Sequence, residues 1–390
     1  MFEVAIQNSF DFQAQEYAAL FEGSAATVFQ HPRWLSAVYG KLCPANAAEP
    51  LIIVVRSAAD GRLVMVLPLV RRRYAFLRVV EFADLCVSDY VSPVTDAQSF
   101  AAILADKECV AHIRRLIKPY DIIRIGKLAD QSLPLERLFG TKRDGMGFNA
   151  YAAPLDESFP QWRERRLAKS YRKELDKKSR QLHRKGAVRF ECAGDPASIR
   201  AVFEAMKTYR GLRFGGPEQG GDLLQAKAYF DFYLGLALEG RNDFTRTYGL
   251  WLDDRLIAGV FGLSHRNTSF LIVMGGFDFK NFGKQSVGNL IYEQVASDCI
   301  ERGEKFLDFT IGDEPYKLTF GARPTPMARI TRTGSVLGFA ANMLAESMPG
   351  ARRLARRLAH VPSDKLPQSP VHPPKAGTCE PNATVPETTA

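Results

Sequence analysis

The sequence predicts an α/β protein with mixed sheets and helices on the sheet faces, because one order of elements occurs twice along the chain. In the first half, the strand-like stretches LIIVVRS, RLVMVLPLV and LRVVEFADL precede a helix-like run over residues 96–118 and the strand-like YDIIRIG. In the second half, TRTYGLWL, LIAGVFGLSH and TSFLIVMGGFD precede a helix over about residues 286–302 and KFLDFTIG. Both halves therefore have the pattern β-β-β-α-β. We expect two packed sheets, unless the repeat is an accidental match of two common layouts.

Length and composition divide the chain into five segments. A chain of 390 residues exceeds the usual size of one core, which favours two domains. These domains are expected at residues 1–155 and 191–332, joined by a basic helical connector at residues 156–190. Residues 333–360 have the pattern of amphipathic basic helices. Residues 361–390 are rich in Pro, Thr and Ser and hold too few apolar residues to fold, so we expect a disordered tail.

The connector carries the positive charge of the whole chain. Between Trp162 and Arg189 lie twelve Lys and Arg residues against three acids, and this excess equals the net charge of +9. A solvated helix surface explains these charges, and so does contact with an RNA backbone. No RRM or KH signature supports RNA, so the sequence argues against a nucleic-acid partner. An anionic polysaccharide, a lipid-linked sugar phosphate or a membrane surface suits the same charges.

Several classes of protein are disfavoured by the residue pattern. The six cysteines are scattered without CxxC or Cys/His spacing, which argues against a zinc site or a disulfide framework, so we expect no metal. The N-terminus lacks the basic and apolar regions of a signal peptide, and no stretch reaches the roughly 18 apolar residues of a membrane span. These observations favour a cytoplasmic enzyme with no permanently bound cofactor.

The loop before the helix of the second half is a candidate site for an anion. In FDFKNFGKQSVGNL, Gly283, Ser286 and Gly288 let backbone N–H groups gather at a helix N-terminus, and Lys284 adds a positive charge. A pyrophosphate fits such a place. The alternative interpretation of the same stretch is that Ser286 is an ordinary N-cap and Gly288 allows close packing. The corresponding first-half loop, DYVSPVTDAQSF, has a proline and an aspartate where glycines are wanted. We therefore expect no CoA site in the first half.

A polar cluster follows the last strand of the second half. Gly312 ends the strand-like stretch, and four side chains with chemical function come after it: Asp313, Glu314, Tyr316 and Lys317. A carboxylate can take a proton from a nucleophile, a phenol can give one to a leaving group, and a lysine can hold a phosphate or carboxylate. Asp308 inside the strand lies either at an exposed edge or against a cation. The alternative interpretation of the cluster is an ordinary solvated turn.

The second half resembles a known family. The stretch SVGNLIYEQVASDCIERGEKFLDF, continued by TIGDEPYKLTFGA, is similar to the C-terminal half of the GNAT-type acetyltransferase domain of the BioF2-like or CelD-like group, which is linked to cellulose and exopolysaccharide production. FQHPRWLSAVYG, SDYVSP and KSYRKELDKKSRQLHRKGAVRFE extend the resemblance over roughly residues 25–325. The group is itself similar to the tandem-GNAT Fem peptidyltransferases. The compound pattern D-F-x-x-G-x-x-x-Y-K in a fixed position is fairly specific for the family.

The resemblance implies tandem GNAT domains, with acyl-CoA bound beside the helix that starts near Ser286. It also implies that Asp308, Gly312, Tyr316 and Lys317 belong to the strongest motif of the family. The phosphate loop departs from the ordinary GNAT pattern Q/R-x-x-G-x-G/A, since residues 283–288 match it only in part. This leaves two donors open, acyl-CoA or the aminoacyl-tRNA that Fem relatives use.

These observations predict direct transfer of an acyl group, with acetyl expected, from acyl-CoA to an amine or hydroxyl of a sugar or cell-envelope precursor. Asp313 or Glu314 is the candidate base, Tyr316 the candidate acid, and lysine 317 a candidate holder of acceptor charge. The backbone N–H groups of Gly275 and Gly276 are candidates for binding pantetheine or the thioester oxygen. The alternatives are Fem-like peptidyl transfer and a non-catalytic module that binds an anionic ligand.

The Arg-rich segment ARRLARRLAH gives a further expectation about partners. Its arginines repeat beside leucines on a helical pattern: Arg352, Arg353, Arg356 and Arg357. Such a helix suits the anionic inner face of a membrane, and paired guanidinium groups also suit a cyclic dinucleotide. A plain surface helix is the alternative to both.

Overall fold

The computed structural model describes residues 2–129, 132–214, 222–241 and 243–347, with side chains as far as residue 345. Within these ranges, twelve β-strands form one continuous sheet. The strands are β1 (Phe2–Gln7), β2 (Glu49–Ser57), β3 (Leu63–Tyr74), β4 (Leu77–Phe82), β5 (Ile122–Ala129), β6 (Arg143–Pro154), β7 (Val188–Cys192), β8 (Thr245–Leu252), β9 (Arg255–His265), β10 (Ser269–Phe277), β11 (Phe306–Ile311) and β12 (Arg323–Thr333). Their spatial order is β1-β2-β3-β4-β5-β12-β6-β11-β10-β9-β8-β7.

Two strands are exchanged between the halves of this sheet. β6 follows the first half in the chain but pairs with β11 of the second half, at Leu307↔Ala153. β12 follows the second half but pairs with β5 of the first half, at Arg332↔Ile123, and it also pairs with β6. The expectation of two separate sheets is therefore wrong, because these crossing strands join both halves through backbone hydrogen bonds.

The repeated pattern itself is present in the structure. In the first half, β2, β3 and β4 are antiparallel neighbours, and β5 lies parallel to β4 at Val79↔Ile122 and Val80↔Ile123. In the second half, β8, β9 and β10 are antiparallel neighbours, and β11 lies parallel to β10 over residues 269–271 and 306–308. Each parallel contact is short, so the two strands separate after it. The predicted α/β fold is confirmed.

Fourteen α-helices lie within the described residues. They are α1 (Gln15–Glu22), α2 (Pro32–Ala37), α3 (Cys43–Ala45), α4 (Ala97–Ala105), α5 (Lys107–Leu116), α6 (Leu135–Phe139), α7 (Phe159–Arg166), α8 (Lys169–His183), α9 (Pro196–Phe214), α10 (Lys227–Glu239), α11 (Phe279–Phe282), α12 (Val287–Glu301), α13 (Pro315–Thr319) and α14 (Val336–Ser347). The helix-like run predicted over residues 96–118 is divided at Asp106, whose side chain accepts a hydrogen bond from Cys109 N–H and starts α5. None of the described helices is both long and apolar enough to cross a membrane.

The hydrophobic core has three parts, and one of them contains residues of both halves. Alternate strand residues face opposite sides of the sheet, as Ile53 and Val54 of β2 do. On one side, α1, α2, α9 and α10 form the shared core, in which Trp34, Phe203 and Phe232 are fully buried. On the other side, α4, α5 and α6 cover the first half, while α7, α8 and α12 cover the second. The shared core and the continuous sheet hold the two halves in a fixed arrangement.

The basic segment predicted as a connector is packed against the second half. It forms α7 and α8, and Trp162, Leu175 and Leu182 are buried in the same core as α12. Arg163 pairs with Glu293 of α12 at 2.6 Å. Most Lys and Arg side chains of α8 point outward, so this helix presents positive charge on a rigid support.

The predicted C-terminal helices are described only in part. α14 begins after Ser335, whose hydroxyl donates to Asp121 Oδ1 at 2.7 Å, and it packs on β5 and β12. The four arginines of ARRLARRLAH and the tail at residues 361–390 lie outside the described residues. The expectations for these segments stay predictions.

Candidate active site

A gap opens in the sheet where β10 and β11 separate. The two strands are paired from Ser269 to Leu271, and beyond this point β10 pairs with β9 alone among the described strands. β11 instead continues along β6, with a bulge between Asp308 and Ile311. The far end of β10 therefore presents backbone groups at an open edge.

Gly275 carries a backbone amide of this open edge. Asp278 N–H donates to Ile257 O on β9. The backbone N–H and C=O groups of every second residue before Asp278, including Gly276, therefore also point to β9. The backbone groups of Gly275 point away from β9, and its carbonyl accepts a hydrogen bond from Arg210 Nη1 at 3.0 Å. Since the N–H and C=O of one strand residue point to the same side, Gly275 N–H faces the gap.

Two of the predicted cofactor-binding glycines serve close packing. A Cβ at Gly276 would lie 2.6 Å from the backbone Cα of Met206, so the missing side chain lets α9 approach β10. A Cβ at Gly288 would lie 3.1 Å from the ring of Phe277, which α12 contacts at this point. For Gly276 the structure differs from the prediction, because its N–H is turned towards β9.

Two stacked tyrosines lie beside Gly275. The rings of Tyr292 on α12 and Tyr316 on α13 have centroids 5.4 Å apart and an interplanar angle of 13°, and their hydroxyls share a hydrogen bond. A Cβ at Gly275 would lie 3.0 Å from the Tyr292 hydroxyl oxygen, so this pair borders the gap. Burial raises the pKa of Tyr292 to about 12 and the pKa of Tyr316 well above its ordinary value. Both phenols stay protonated near neutral pH, so Tyr316 carries a proton to donate, and its raised pKa makes it a weaker acid than a free phenol.

The N-terminus of α12 has no side-chain cap. Ser286 occupies the N-cap position at a φ of 51°, in the left-handed region, and its side chain makes no capping hydrogen bond. The first N–H groups of the helix therefore receive no hydrogen bond from a capping side chain, which suits an anion, and the anion site expected here stays a prediction. At Gly283, no atom lies within 4 Å of the place where a Cβ would stand, so the turn leaves room for a ligand. The alternative interpretation of Ser286 as an ordinary N-cap is wrong, because its side chain makes no capping hydrogen bond.

A basic groove lies between α8 and the turn before α12. Its volume is about 440 Å³, and it is lined by Lys178, Gln181, Arg184, Lys185, Lys284 and Gln285. Lys178 Nζ donates to Lys284 O at 2.6 Å, which ties α8 to this turn. The positive charge of the connector and the predicted phosphate loop are thus brought together, although more than a hundred residues separate them in the chain.

Asp308 lies where β10 and β11 part and where the two halves meet. Its backbone is opposite Leu271, the last paired residue of β10, and its two carboxylate oxygens accept from Tyr90 Oη at 2.9 and 3.0 Å. Burial raises the pKa of Asp308 to about 6, against the lowering effect of hydrogen bonds from Thr310 N–H and Tyr90. The expectation of an exposed edge or a cation partner is wrong, because β11 is an interior strand and the partner is a phenol.

Asp89 faces the same place from the first half. Burial raises its pKa, while the charge of Lys127 and a hydrogen bond with the Thr310 side chain oppose this rise. The charge of Asp89 in turn contributes to the raised pKa of Asp308. Two carboxyl groups, one from each half, therefore stand near each other in a largely desolvated site, as in acid–base catalysis.

The backbone near these carboxyl groups adopts conformations that L-residues rarely use. Four residues have φ between 40° and 69°: Leu85, Cys86, Lys127 and Thr310. Lys127 Nζ donates to Ser88 O at 2.6 Å and pairs with Asp84, which joins these segments. Each such residue costs on the order of 1–3 kcal/mol, and such strain clusters at functional sites.

Lys317 and Glu314, predicted as catalytic, form the turn after β11. Lys317 is 2% exposed, and its Nζ donates to the carbonyls of Ile311 and Gly312 at 2.8 and 2.9 Å. It also pairs with Glu314 at 2.9 Å. The prediction that Lys317 holds the charge of an acceptor is corrected, because its donors are already used. Its charge acts at a distance and lowers the pKa of Asp308.

Asp313 is fastened to the central strand β6. Its Oδ1 accepts hydrogen bonds from Asn149 Nδ2 at 2.9 Å and from Tyr151 Oη at 2.8 Å. Burial alone would raise the pKa of Asp313, but these hydrogen bonds outweigh it and lower the pKa. A carboxylate held in this way is a weaker base than Asp308, so the geometry favours Asp308 for proton transfer.

Sequence reasoning did not identify Asp89, Tyr90, Lys127 or Arg210 as site residues. A signal for the first two was present in SDYVSP, which contributed to the family resemblance but was assigned no role. The structure joins that motif to another one, because Trp34 Nε1 of FQHPRWLSAVYG donates to Ser88 Oγ at 3.0 Å. Three separate motifs therefore meet around Asp308.

Comparison with known families identifies one domain in this chain. Residues 169–318 match the sequence model of the acetyltransferase (GNAT) domain. The segment begins with α8 and ends in α13, so it contains the basic groove, the gap and the tyrosine pair. The predicted GNAT-type acetyltransferase domain is therefore confirmed over these residues of the second half. A comparison with curated protein sequences found no match.

Solved structures with the same fold cover most of the chain. FemX is similar at 12% identity and a TM-score of 0.58, over 85% of this chain and 97% of that protein. The C-terminal DUF2156 domain of an Agrobacterium fabrum protein named as a lysylphosphatidylglycerol synthetase is similar at 11% identity and a TM-score of 0.54, over 87% of this chain and 98% of that domain. At these identities the likeness shows a shared fold, which includes both halves.

Proposed function

We propose that the protein transfers an acyl group, with acetyl expected, from acyl-CoA to an amine or hydroxyl of a sugar or cell-envelope precursor. The observation that carries this proposal is the gap beside β10. It has an available amide at Gly275, a phenol pair on one side, and the carboxyl groups of Asp89 and Asp308 where the strands part. The resemblance to the BioF2-like or CelD-like group supports an exopolysaccharide precursor as the acceptor.

The donor would lie along the open edge of β10. Its phosphate groups would contact the basic groove and the uncapped N-terminus of α12, where Lys284 contributes charge. The pantetheine arm would then pass along β10, with the thioester carbonyl accepting from Gly275 N–H. One such donor, aimed at the oxyanion of the tetrahedral intermediate, typically contributes about 10²–10³ in rate.

The acyl transfer would proceed without a covalent enzyme intermediate. Asp308 takes the proton of the acceptor as its nitrogen or oxygen attacks the thioester carbon. The carbon–sulfur bond then breaks, and the departing thiolate receives a proton from Tyr316. Solvent restores the proton of Tyr316 and removes that of Asp308. Holding both reactants in one gap supplies the largest part of the acceleration, because the reaction becomes effectively unimolecular.

The acceptor would approach from the side of the first half, where Asp89 and Tyr90 lie. Paired carboxyl groups suit an ammonium group that must lose a proton, and they also suit a sugar hydroxyl. An acyl-CoA donor agrees with a reaction in the cytoplasm. A cyclic dinucleotide at the Arg-rich segment stays a prediction, since that segment lies outside the described residues.

The second candidate function is Fem-like peptidyl transfer from aminoacyl-tRNA. The fold shared with FemX over 85% of the chain favours it. The exposed charge of α8 would then contact the RNA backbone, and binding would weaken steeply with salt. A non-catalytic module that binds an anionic ligand would use the same groove without turnover.

Thermal unfolding in the presence of acetyl-CoA tests the donor. At a ligand concentration about 100 times the dissociation constant, binding to the native state alone stabilises it by roughly 2.7 kcal/mol. We expect a saturable rise in the melting temperature, followed by release of free CoA thiol when a panel of amino sugars and sugar alcohols is added. No shift at millimolar acetyl-CoA, with incorporation of an amino acid that requires tRNA, would replace the first candidate by the second.

A further inference from the structure

Helix α14 has an inverted distribution of side chains. Its large apolar residues point to solvent, with Val336 88% exposed, Phe339 58% and Leu344 57%. Leu337 is 44% exposed on the same side. At 100° per residue, these positions fall on one face of the helix. An amphipathic helix of a soluble domain normally turns this face inward.

The orientation of α14 is fixed by the small residue on its inner face. A Cβ at Gly338 would lie 2.0 Å from Asp121 O, so this position tolerates only glycine against β5. The start of the helix is held by the same aspartate, since Gly334 N–H donates to Asp121 O and Ser335 Oγ to Asp121 Oδ1. Rotation that would bury Phe339 is therefore blocked. The apolar face is exposed because the packing requires it.

The β3–β4 hairpin, which is connected to α14 through Asp121, carries a further exposed aromatic ring and an exposed arginine. Asp121 also accepts from Arg78 Nε at 3.0 Å, which links α14 to the hairpin between β3 and β4. Phe76 at the tip of that hairpin is 70% exposed, and Arg73 beside it is exposed as well.

The chain beyond α14 continues the same character. Four arginines follow within ten residues of its end, in ARRLARRLAH. No acid lies between Ser347 and the last of these arginines. Apolar side chains on one helix face, aromatic residues and flanking arginines are the composition of elements that bind at an anionic lipid surface.

We propose that α14 and the adjoining β3–β4 hairpin dock on an anionic lipid surface, with the apolar face in the interfacial region. Charge favours this occupant over a second copy of the chain, because a symmetric contact would bring the same cationic flanks against each other. The proposal does not depend on the reaction of the gap, since α14 lies on the first half.

Vesicle sedimentation with the full chain tests the proposal. The probes are vesicles of phosphatidylcholine alone and vesicles that contain phosphatidylglycerol as well, each at low and high salt. We expect binding to the anionic vesicles, weakened by salt, and at least tenfold weaker binding by the variant Val336→Ser, Phe339→Ser, Leu344→Ser. Leu212→Ser is the matched control, since Leu212 is 72% exposed on α9. Its binding should equal that of the wild type.

Three outcomes would overturn the proposal. The first is equal sedimentation of the wild type and the triple variant, which would assign any binding to the arginine segment alone. The second is no binding of the wild type to anionic vesicles. The third is a concentration-dependent dimer in sedimentation equilibrium that the triple variant loses, which would assign the face to a second copy. Circular dichroism of the variant checks its fold, and substitution of exposed residues should leave it unchanged.

Discussion

The two halves of the sheet share a layout but differ where their parallel strands separate. In the first half, the loop after β4 fills this place, because Val91 N–H donates to Lys127 O and Val94 forms a bridge with Val66. In the second half, the far end of β10 stays open within the described chain. The space between the separating strands is therefore occupied by the loop that carries Asp89 in the first half. In the second half, the same arrangement leaves the edge of β10 open.

The helices that follow these strands differ in their caps. Asp96 precedes α4 and accepts from Ser99 N–H at 2.8 Å, so a carboxylate of the chain itself occupies the position of an anion. Ser286 precedes α12 without a cap, next to Lys284. This difference supports the expectation that only the second half binds the phosphates of CoA.

The two bulges show that the repeat is structural while the side chains have diverged. Lys127 in β5 and Thr310 in β11 each lie in a register shift, at φ 58° and 57°. The first is a lysine that pairs with Asp84, and the second is a threonine that contacts Asp89. At equivalent backbone positions, the first half therefore has a lysine that forms an ion pair, and the second half has a threonine beside the gap.

The largest expected effect is the loss of the base. Asp308→Asn keeps an acceptor for the Tyr90 hydroxyl but cannot take a proton, so kcat should fall by about 10²–10⁴. Steady-state kinetics with acetyl-CoA measure this, and calorimetry should find donor binding unchanged. Asp254→Asn, at an exposed turn of the same half, is the control. A kcat within threefold of wild type would remove Asp308 from the mechanism.

Charge reversal at the starts of α12 and of α5 tests the comparison of the halves directly. Lys284→Glu should weaken acetyl-CoA binding roughly ten- to hundredfold, the range of a charge-assisted hydrogen bond to phosphate. Lys107→Glu makes the same change at the start of α5 in the first half and should leave the dissociation constant unaltered. Equal effects of both variants in a calorimetric titration would contradict the assignment of the donor to the second half.

The pH dependence of the reaction reports the raised pKa of Asp308. A carboxyl group accepts a proton only when it is ionised, so kcat/KM should fall as pH falls through about 6. Below that pH, kcat/KM should approach a tenfold fall per pH unit. Because the pKa of Asp89 is also raised, its titration should broaden this transition. Donor binding, measured over the same pH range, serves as the control and should not show this decrease. A midpoint well below this pH would point to Asp313 instead, whose pKa is lowered by its hydrogen bonds.

Removal of the candidate acid should have a smaller effect. Tyr316→Phe keeps the ring stacked on Tyr292, and a thiolate with an ordinary pKa of about 8.5 needs little help to depart. We expect kcat to fall about tenfold, with KM for acetyl-CoA nearly constant. Single-turnover kinetics separate this step from product release. An unchanged chemical rate would show that solvent supplies the proton.

The smallest expected effect concerns stability and again compares the halves. Asp96→Ala removes a helix cap and should lower the free energy of unfolding by about 1 kcal/mol. Ser286→Ala removes no capping hydrogen bond and should cost less than half of that. Urea titrations followed by circular dichroism provide both values. Similar losses would mean that Ser286 caps α12 in solution.

Part of the site was within reach of the sequence because its signals are local. The helix expected at about residues 286–302 is α12 at Val287–Glu301, and KFLDFTIG contains β11 at Phe306–Ile311. Both follow from periodicity and from glycines at the ends, which depend on neighbouring residues alone. The motif around Asp308 and Tyr316 at the end of β11 is likewise local, because its residues are close together in the sequence.

The sequence by itself determined the repeated α/β pattern, the GNAT resemblance and the prediction of an anion site at the turn before α12. Only the tertiary structure decided that β6 and β12 cross between the halves, that Asp89 and Asp308 come close to each other, and that Lys317 is used within its own turn. These features depend on strand register and on contacts between residues more than two hundred positions apart, such as Tyr90 and Asp308. Local propensity carries no record of such pairings, because a shift of one residue would turn every side chain of a strand to the other face.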